Sequence, residues 1–527
     1  MQAELRDSLE FFFPDSKVAA RPRESVRLDV ARGGIAAVHV LLNGLGQGKA
    51  VRLSVRQAGR EAVDARWFRL IDVPVEINTG PKGFVEKKGE RNRYVIRRAP
   101  FRVYDAMAPL RASFKADAAT VGLRLHLPVA AGAKPGRRDY EIRVESAREV
   151  RQFRLAVNVH KAVIAPAGAA SLPYTNWFSV ERMADRHGLA RWSDAHWRMI
   201  RKYADLMHYA RQNMFMVGLR PTFRLEGGIP TLDMRHLERF VRTFTAAGLH
   251  YIEGGHVAHR PRGTWNDPRF QLALTDRLAT SPEGNADLAC IAGQLMAEID
   301  RHGWRGRWIQ HVTDEPNDAN AADYRILTGM VHKYMPGIPL LDATLDTSLV
   351  GSVDIWCPQG QRYQADRARF EAQRAIGDEV WFYTCCFPGG PWLNRLLDME
   401  LLRPAILGWY AALYDLDGFL HWGLNHYPSP EHPWRRSITP ARTTGANLPA
   451  GDTHIVYPGQ DGPWSSLRLE AQREGLEDYE LLAGLKARNP KRAAAIIPGV
   501  IRGFASYTKD VRRFRAARKA LLAAAER

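Results

Sequence analysis

The sequence predicts a multidomain protein with an N-terminal antiparallel β-sandwich, a central (β/α)8 barrel of the TIM type and a short C-terminal helical tail. With 527 residues the chain is too long for one ordinary hydrophobic core. Its first part alternates apolar and polar residues over short segments, and its middle part alternates apolar strands with helical stretches. The expected ranges are 1–165 for the sandwich, 173–477 for the barrel and 478–527 for a tail packed on the barrel.

The predicted sandwich rests on six segments with the period-2 pattern of half-buried strands. Gly and Asn turns separate them and no convincing helix lies between them, which favours antiparallel pairing. The Ala-, Gly- and Pro-rich stretch at 166–173 is the expected linker. The segments are 25–30, 37–41, 51–55, 122–127, 140–144 and 153–160.

The predicted barrel rests on eight short apolar segments separated by stretches of helical periodicity. Eight strands with interleaved helices match a TIM-type barrel in count and in size. A doubly wound sheet would accommodate the same pattern, but no Gly-rich phosphate loop follows the first strand. The segments are 176–180, 214–219, 250–253, 308–312, 339–343, 353–357, 380–384 and 418–422.

The predicted tail is rich in Ala, Leu and Arg and has helical periodicity. Just before it lies a cluster of opposite charges for which we expect a structural role, an ion-paired brace that holds the tail to the barrel. The residues of this predicted brace are Arg468, Arg473, Glu474, Glu477 and Asp478.

The formal net charge is +18, from 75 Lys and Arg against 57 Asp and Glu. The basic residues are scattered, without a compact block or an aromatic-interleaved RNA motif, so we expect a solvated basic face and no nucleic-acid partner. An acidic glycan substrate is the functional alternative. A carbohydrate is the expected partner, and the oligomeric state is not readable from the sequence.

The N-terminal residues lack the pattern of a signal peptide, and no stretch has the roughly 18 apolar residues that a membrane span needs. A soluble protein without a membrane partner is expected. Because a leader removed earlier would leave no trace, the periplasm and the cytoplasm both stay open. The four cysteines form no disulfide framework or metal-binding spacing, so no cofactor or metal is expected.

In a (β/α) barrel the active site is built at the C-terminal ends of the strands. Reading those positions gives carboxylates, amides, a tyrosine and indoles. Polar groups among aromatic rings suit the hydroxyl groups of a sugar better than a phosphate or a hydride carrier. The predicted substrate-binding residues are Asn176, Trp177, Glu253, His256, Asp342, Gln359, Tyr383, His421, Trp422 and Asn425.

Asp314 and Glu315 are the candidate catalytic residues, since they are adjacent at the end of the fourth predicted strand. Two carboxyls crowded in a partly dry cleft disfavour double ionisation, which raises the pKa of one and lets it act as a general acid near neutrality. The alternative interpretation is structural, with one carboxyl in a salt bridge and the other capping the next helix.

Structural alternatives also exist for three of the predicted binding residues. His256 and His421 are each interpretable as histidines with satisfied hydrogen bonds at the rim of a cleft. Asp342 is interpretable as the partner of a neighbouring arginine. Trp422, at a strand end, is the better candidate for a sugar-stacking surface.

Several distinctive motifs follow one another along the chain. The most distinctive is Ser-Leu-Arg-Leu-Glu at 466–470 with Arg-Glu-Gly-Leu-Glu-Asp-Tyr at 473–479. The others are Asn-Trp-Phe at 176–178, Arg-Gln-Asn at 211–213, Thr-Asp-Glu-Pro at 313–316, Trp-Phe-Tyr-Thr-Cys-Cys at 381–386, Asn-Arg-Leu-Leu-Asp at 394–398 and Gly-Phe-Leu-His-Trp-Gly-Leu-Asn at 418–425. Together these motifs resemble those of glycoside hydrolase family 123 and its wider, mostly uncharacterised relatives. Their order along the chain makes the resemblance specific, although each motif alone is weak.

The resemblance implies a retaining exo-β-N-acetylgalactosaminidase with substrate-assisted catalysis. In that scheme the 2-acetamido carbonyl of the substrate attacks the anomeric carbon and forms an oxazolinium, an exception to the two-carboxylate mechanism. Carried over, Glu315 protonates the leaving oxygen and later activates water, and Asp314 orients the acetamido nitrogen and stabilises its positive charge. Tyr383 would bind the acetamido oxygen, and Trp422 would form the floor under the sugar.

Two alternatives to this function remain open. The first is a glycosidase that uses the same carboxyls on a different or acidic glycan, without participation of a 2-acetamido group. The second is a non-catalytic glycan-binding protein, against which the presence of both Asp314 and Glu315 argues.

Overall fold

The protein is represented by a computed structural model that describes residues 1–261, 264–345, 347–441 and 445–526. Its N-terminal region contains eleven strands in two sheets, which share one hydrophobic cluster. The strands are β1 Gln2–Asp7, β2 Ser25–Arg32, β3 Ile35–Asn43, β4 Ala50–Gln57, β5 Arg60–Glu61, β6 Arg66–Val75, β7 Phe101–Leu110, β8 Ser113–Lys115, β9 Thr120–Pro128, β10 Gly136–Ser146 and β11 Glu149–Val163.

The two N-terminal sheets pair mostly as the sequence predicts. One has the order β1-β3-β9-β6-β7 and the other β2-β11-β10-β4-β5, with β8 on β4. The exception to the antiparallel prediction is the edge strand β2, which runs parallel to β11. Residues 8–24 carry the chain from the first sheet to the second, so no tight hairpin forces β2 to run antiparallel to its neighbour.

The central region alternates strands and helices, as its hydrophobic pattern predicts. The first barrel strand ends earlier than predicted, at Asn176, and the next helix begins at Val180 behind the N-cap Ser179. The strands are β12 Tyr174–Asn176, β13 Met214–Val217, β14 Phe223–Glu226, β15 Ile229–Leu232, β16 Tyr251–Gly254, β17 Ala258–His259, β18 Gln271–Leu272, β19 Trp308–His311, β20 Leu340–Thr344, β21 Ile355–Pro358, β22 Glu379–Val380, β23 Phe382–Thr384 and β24 Phe419–His421.

Nine of these strands form one parallel sheet with the order β22-β21-β20-β19-β16-β13-β12-β24-β23. Its two ends, β22 and β23, are consecutive pieces of the same chain segment, separated by Trp381 alone. The sheet therefore comes back on itself as a nearly closed barrel, which is consistent with a TIM-type fold. Apolar side chains from several strands fill its interior, among them Met214, Leu341 and Ile355.

Helices cover the outside of the barrel and continue beyond it. The helices of the central region are α1 Val180–His187, α2 Asp194–Tyr209, α3 Leu219–Thr222, α4 Met234–Ala247, α5 Pro282–Arg301, α6 Ala321–Tyr334, α7 Gly360–Ala365, α8 Arg367–Arg374 and α9 Leu402–Tyr414. They are followed by α10 Leu467–Arg488, α11 Pro490–Ile496 and α12 Val511–Ala525. In the described ranges no helix is both long and apolar enough to cross a membrane.

The C-terminal helices join the barrel to the N-terminal sheets. Helix α10 packs against α9 and runs through residue 478, where the tail was expected to begin. Short antiparallel pairs lie before and after it. They are β25 Thr439–Pro440 with β26 Asn447–Leu448, β27 Tyr457–Pro458 with β28 Pro463–Trp464, and β29 Ile501–Gly503 with β30 Ser506–Tyr507.

Candidate active site

Asp314 and Glu315 lie in the loop that follows barrel strand β19, at the C-terminal end of the strand. Glu315 has a φ of +49°, in the left-handed region that non-glycine residues rarely adopt. Arg260 holds this turn, since its guanidinium donates to the carbonyl oxygens of Asp314, at 2.6 Å, and Glu315. A strained backbone kept in place by a buried arginine is typical of a functional site.

Groups from two other strand ends hold the Glu315 carboxyl. The Tyr383 hydroxyl, from β23, donates to Glu315 Oε1. The side chain of Gln359, which follows β21, lines the same cavity as Glu315 and also favours its carboxylate. The structure therefore brings together three residues that the sequence assigned to different strand ends.

The pKa values of both adjacent carboxyls are raised. Burial, followed by the neighbouring Glu315, raises the pKa of Asp314 to about 7. Burial also raises the pKa of Glu315, while the Tyr383 hydroxyl opposes that shift by stabilising the carboxylate. Because the two groups interact strongly, the proton near neutrality belongs to the pair rather than to either residue.

His311 lies beneath the pair, between two buried carboxylates. Its Nδ1 is 3.0 Å from Glu253 Oε1 and its Nε2 is 3.3 Å from Asp342 Oδ1. Burial alone would lower the pKa of His311, but the adjacent carboxylates of Asp342 and Glu253 outweigh it and raise the pKa to about 10. An imidazolium therefore balances two negative charges under the candidate catalytic loop.

Glu253 and Asp342 are fully buried beneath the candidate catalytic loop, and their predicted contact with substrate stays a prediction. Glu253 also accepts hydrogen bonds from the Thr175 hydroxyl at 2.6 Å and the Trp177 indole at 2.9 Å.

Asp342 Oδ2 accepts from the backbone N–H of Thr313 and from the Tyr324 hydroxyl, each at 2.9 Å. Together with His311 these are the partners of Asp342, instead of the arginine considered from the sequence. Asp342 thereby fixes the residue that precedes Asp314.

One group of side chains in the described ranges has spacing that a metal ion would need. Ligand atoms of His256, His311 and Asp314 lie within 4.8 Å of one another. Both nitrogens of His311, however, face carboxylates, and an imidazolium has no lone pair for a metal. The donor set does not fit a three-ligand site while His311 is protonated, and the absence of a metal stays a prediction.

Asn176 and Asn425 are buried; the Asn176 side-chain oxygen and both polar atoms of the Asn425 amide are hydrogen-bonded within the protein, whereas the Asn176 amide nitrogen has no such partner among the described residues. Arg395 donates to the Asn176 side-chain oxygen at 3.1 Å. The Asn425 amide bonds both backbone groups of Ser179, at 2.8 and 2.9 Å, and so ties the strand-β24 loop to the start of α1. Their predicted contact with substrate stays a prediction.

The Trp422 side chain is hydrogen-bonded to Asp452, a residue that the sequence did not indicate. The Trp422 indole donates to Asp452 Oδ1 at 3.2 Å, and His421 Nε2 is 4.0 Å from the same oxygen. Burial raises the pKa of Asp452 to about 7. His421 Nδ1 accepts from the backbone N–H of Gly423 at 3.0 Å, which orients its ring.

Trp177 and His256 pack edge to face next to His311, with their ring centroids 4.8 Å apart. His256 is close to His311 as well, at 4.5 Å between centroids. Burial, followed by the charge of His311, lowers the pKa of His256 well below its usual value, so its imidazole is neutral.

A cavity of about 550 Å³ opens beside Glu315 and Gln359. Aromatic rings from both the barrel and the N-terminal region form much of its wall. The remaining lining residues are Pro81, Lys82, Phe84, Trp265, Leu345, Gln361, Arg362, Cys385, Cys386, Phe387, Pro388 and Trp392.

Arg260 and Asp452 are the main residues of this site that sequence reasoning missed. Arg260 follows β16 by six residues, so its position in a loop at the C-terminal ends of the strands was the available signal. Asp452 lies far from any barrel strand, and nothing in the sequence places it beside Trp422.

Residues 177–485, more than half of the chain, match the family model described as "Glycoside hydrolase 123, catalytic domain". A solved family 123 glycoside hydrolase from Clostridium perfringens, described with the details of glycolipid glycan hydrolysis, shares this fold with a TM-score of 0.75. It is 14% identical, and the alignment covers 100% of this chain and 97% of that one.

Two β-glucuronidases are less similar. The one from Parabacteroides merdae has a TM-score of 0.32 and covers 84% of this chain and 51% of its own, at 10% identity. The one from Dictyoglomus thermophilum has a TM-score of 0.35 and covers 84% and 66%, also at 10% identity. No curated protein sequence gives a significant match. The family inferred from the sequence motifs is confirmed by the family model.

Proposed function

The chain belongs to glycoside hydrolase family 123, and from this premise we propose that it is a retaining, exo-acting β-N-acetylgalactosaminidase that uses substrate-assisted catalysis. Its activity as a glycoside hydrolase follows from the family. The observation that carries the finer proposal is the carboxyl pair of Asp314 and Glu315, held at a strand end with both pKa values raised.

In the first step Glu315 protonates the glycosidic oxygen, and the leaving group departs as an alcohol. The 2-acetamido carbonyl oxygen attacks the anomeric carbon and forms an oxazolinium, so the nucleophile belongs to the substrate. Asp314 accepts a hydrogen bond from the acetamido N–H and stabilises the positive charge that develops there. The Tyr383 hydroxyl, which donates to Glu315 in the free enzyme, would turn to the acetamido oxygen when substrate is bound.

Substrate binding would place the shared proton. In the free enzyme, burial and the neighbouring Glu315 raise the pKa of Asp314 to about 7. An acetamido N–H donating to Asp314 favours its carboxylate, and the proton then remains on Glu315, where the first step needs it. In the second step Glu315 removes a proton from water, which opens the oxazolinium and restores the β-configuration.

The test is the hydrolysis of nitrophenyl β-glycosides of N-acetylgalactosamine, N-acetylglucosamine, galactose and glucuronic acid. We expect turnover of the β-N-acetylgalactosaminide, with loss of at least about a hundredfold in kcat in Asp314→Asn. A suitable control is Asp318→Asn, an exposed carboxyl three residues after Glu315.

Turnover of the galactoside or glucuronide alone would contradict acetamido participation while leaving a glycosidase of this fold. Tight binding of a sugar without turnover, unchanged in Glu315→Gln, would instead support the non-catalytic alternative.

A further inference from the structure

Three residues that line the cavity, Pro81, Lys82 and Phe84, belong to residues 76–98 of the N-terminal region, here called the arm. Buried Asp398 of the barrel region anchors it with three hydrogen bonds. Its carboxylate accepts from the Asn78 amide at 3.1 Å and from the backbone N–H and the hydroxyl of Thr79, each at 2.7 Å. The arm is therefore fixed to the barrel at its start.

The tip of the arm lies directly against the loop after β23. Gly389 N–H donates to the Lys82 carbonyl at 2.7 Å, and Phe84 N–H donates to the Cys386 carbonyl at 3.1 Å. A Cβ on Gly83 would lie 2.4 Å from the Phe387 ring, so a side chain at 83 does not fit. These two hydrogen bonds hold the backbone of Lys82 against the loop after β23.

Lys82 and Arg362 bring two positive charges to the cavity that Glu315 lines. Both side chains are exposed, and among the described residues neither forms an ion pair or a side-chain hydrogen bond. Glu315 is the acidic member of the lining residues, and its raised pKa reduces its negative charge. The cavity thus presents unpaired cations, one from each region of the protein.

We infer that Lys82 and Arg362 form a subsite for a negatively charged group, a carboxylate or sulfate, carried by the leaving group of the substrate. This inference rests on the proposed function, because it takes Glu315 as the acid. The glycosidic oxygen that Glu315 protonates is bonded to the leaving group, so the cavity on the Glu315 side receives that group. Asp314, which would face the acetamido sugar, does not line this cavity. The aromatic rings of Phe84, Trp265 and Trp392 offer stacking surfaces for a ring that carries the charge.

The kinetic test compares 3-carboxyphenyl and 3-carbamoylphenyl β-N-acetylgalactosaminides, which differ in charge and have leaving groups of similar acidity. We expect the parent enzyme to prefer the carboxylate by about tenfold in kcat/KM at low salt, with the preference falling as salt rises. The double variant Lys82→Ala, Arg362→Ala should lose the preference and keep its rate on the neutral substrate. Lys87→Ala, also exposed on the arm but outside the cavity, should behave as the parent does.

A second measurement needs no turnover and no sugar. Ligand-observed NMR compares the binding of free 3-hydroxybenzoate and 3-hydroxybenzamide to the parent and to the double variant. Tighter binding of the benzoate by the parent alone supports the anionic subsite. Equal binding of the two compounds, or a benzoate preference that survives the double substitution, overturns it. Failure to hydrolyse either glycoside would count against the proposed function, and the NMR result would still decide the subsite.

Discussion

At the scale of single residues, the candidate mechanism depends on how one loop holds two carboxyls. Glu315 has a left-handed backbone conformation, and Arg260 donates to the carbonyl oxygens of Asp314 and Glu315. A positive φ at a non-glycine residue costs on the order of 1 kcal/mol, so the loop would relax without this support. Arg260 is thus a positioning residue, which acts on catalysis through Glu315.

Arg260→Ala should lower kcat by about ten- to a hundredfold, because a displaced acid loses its alignment with the glycosidic oxygen. KM should change less than kcat, and the thermal midpoint should fall by only a few degrees. The control is Arg220→Ala, an exposed arginine of α3. An unchanged kcat in Arg260→Ala would show that Arg260 does not position Glu315 for catalysis.

The pH dependence of kcat/KM should reflect the protonation of the Asp314–Glu315 pair. Catalysis needs one proton on Asp314 and Glu315, and the pKa of Asp314 is raised to about 7, so activity should fall as the pH rises through about 7. Tyr383→Phe removes a hydroxyl that stabilises the Glu315 carboxylate. In the pH profile of kcat/KM for Tyr383→Phe, the alkaline limb should therefore move to higher pH, by about half a unit or more. A limb that stays in place or moves down would contradict the assignment.

Sequence reasoning at the residue scale selected side chains that the structure brings together, but it did not distinguish the two depths at which they lie. Polar residues at strand ends gave Glu315, Gln359 and Tyr383, which the structure brings into contact. The same rule also selected Glu253 and Asp342, which are buried beneath the loop around His311. A strand-end position predicts that a side chain points toward the site, whereas its depth depends on packing that no local pattern encodes.

At the scale of elements, helix α10 connects the barrel to the rest of the molecule through buried ion pairs. Arg515 and Arg518 of α12 contact Glu474 and Asp478 of α10, and Arg515 also contacts Asp7 of β1. Arg468 pairs with Asp105 of β7 at 2.9 Å. The charged residues predicted to form an ion-paired brace do form ion pairs. Their partners outside α10 lie in α12 and in the N-terminal sheet.

Arg515→Met should destabilise the protein by about 2 kcal/mol, because it leaves the buried carboxylates of Asp7 and Glu474 with fewer partners. Arg512→Met is the matched control, since Arg512 is exposed on the same helix and should change stability by less than about 0.5 kcal/mol. Urea unfolding at pH 7 measures both. Equal stability of the two variants would show that the Arg515 pairs contribute nothing net.

The elements that the sequence predicted best are those with a strong period. Barrel strands such as β19 and β20 and the apolar stripe of α2 are found where the pattern places them, with ends shifted by a few residues. Strands β6 and β7 were not predicted from the sequence. In β6, charged and apolar residues do not alternate regularly. Most of β7 is buried, and some of its side chains pack against residues of the barrel region, so it lacks the polar face of a half-buried strand. Such strands form because of packing between residues far apart in the chain, so local sequence patterns do not predict them.

At the scale of the whole molecule, the N-terminal region and the barrel form one structure around the cavity. Val73 and Val103 of the sheet pack with Leu397 and Tyr457 of the barrel region in a shared cluster. The arm then supplies Lys82 and Phe84 to the wall beside Glu315. The barrel alone would therefore have an incomplete cavity.

The coupling between the regions should make stability depend on acid pH. Burial raises the pKa of Glu474, but Arg515 and Arg518 outweigh it and lower the pKa to about 2 from 4.5. This carboxylate stabilises the fold above pH 4.5, and the contribution is lost as the pH falls toward 2, by up to about 3 kcal/mol. Unfolding followed from pH 5 to pH 2 should show this decline, and a shallower decline in Arg515→Met. Parallel curves for the parent and the variant would contradict the linkage.

The measurement that tests the central claim most directly is the rate of hydrolysis of aryl β-N-acetylgalactosaminides whose acetamido methyl group carries zero, one, two or three fluorines. Fluorine withdraws electrons and weakens the carbonyl oxygen as a nucleophile, while the leaving group and the sugar ring stay the same. If the acetamido group attacks the anomeric carbon, with Asp314 beside it and Glu315 as the acid, kcat/KM should fall steeply along the series, by more than about a hundredfold in total. A rate that does not depend on fluorination would mean that the substrate supplies no nucleophile, and the roles given to Asp314 and Glu315 would be wrong.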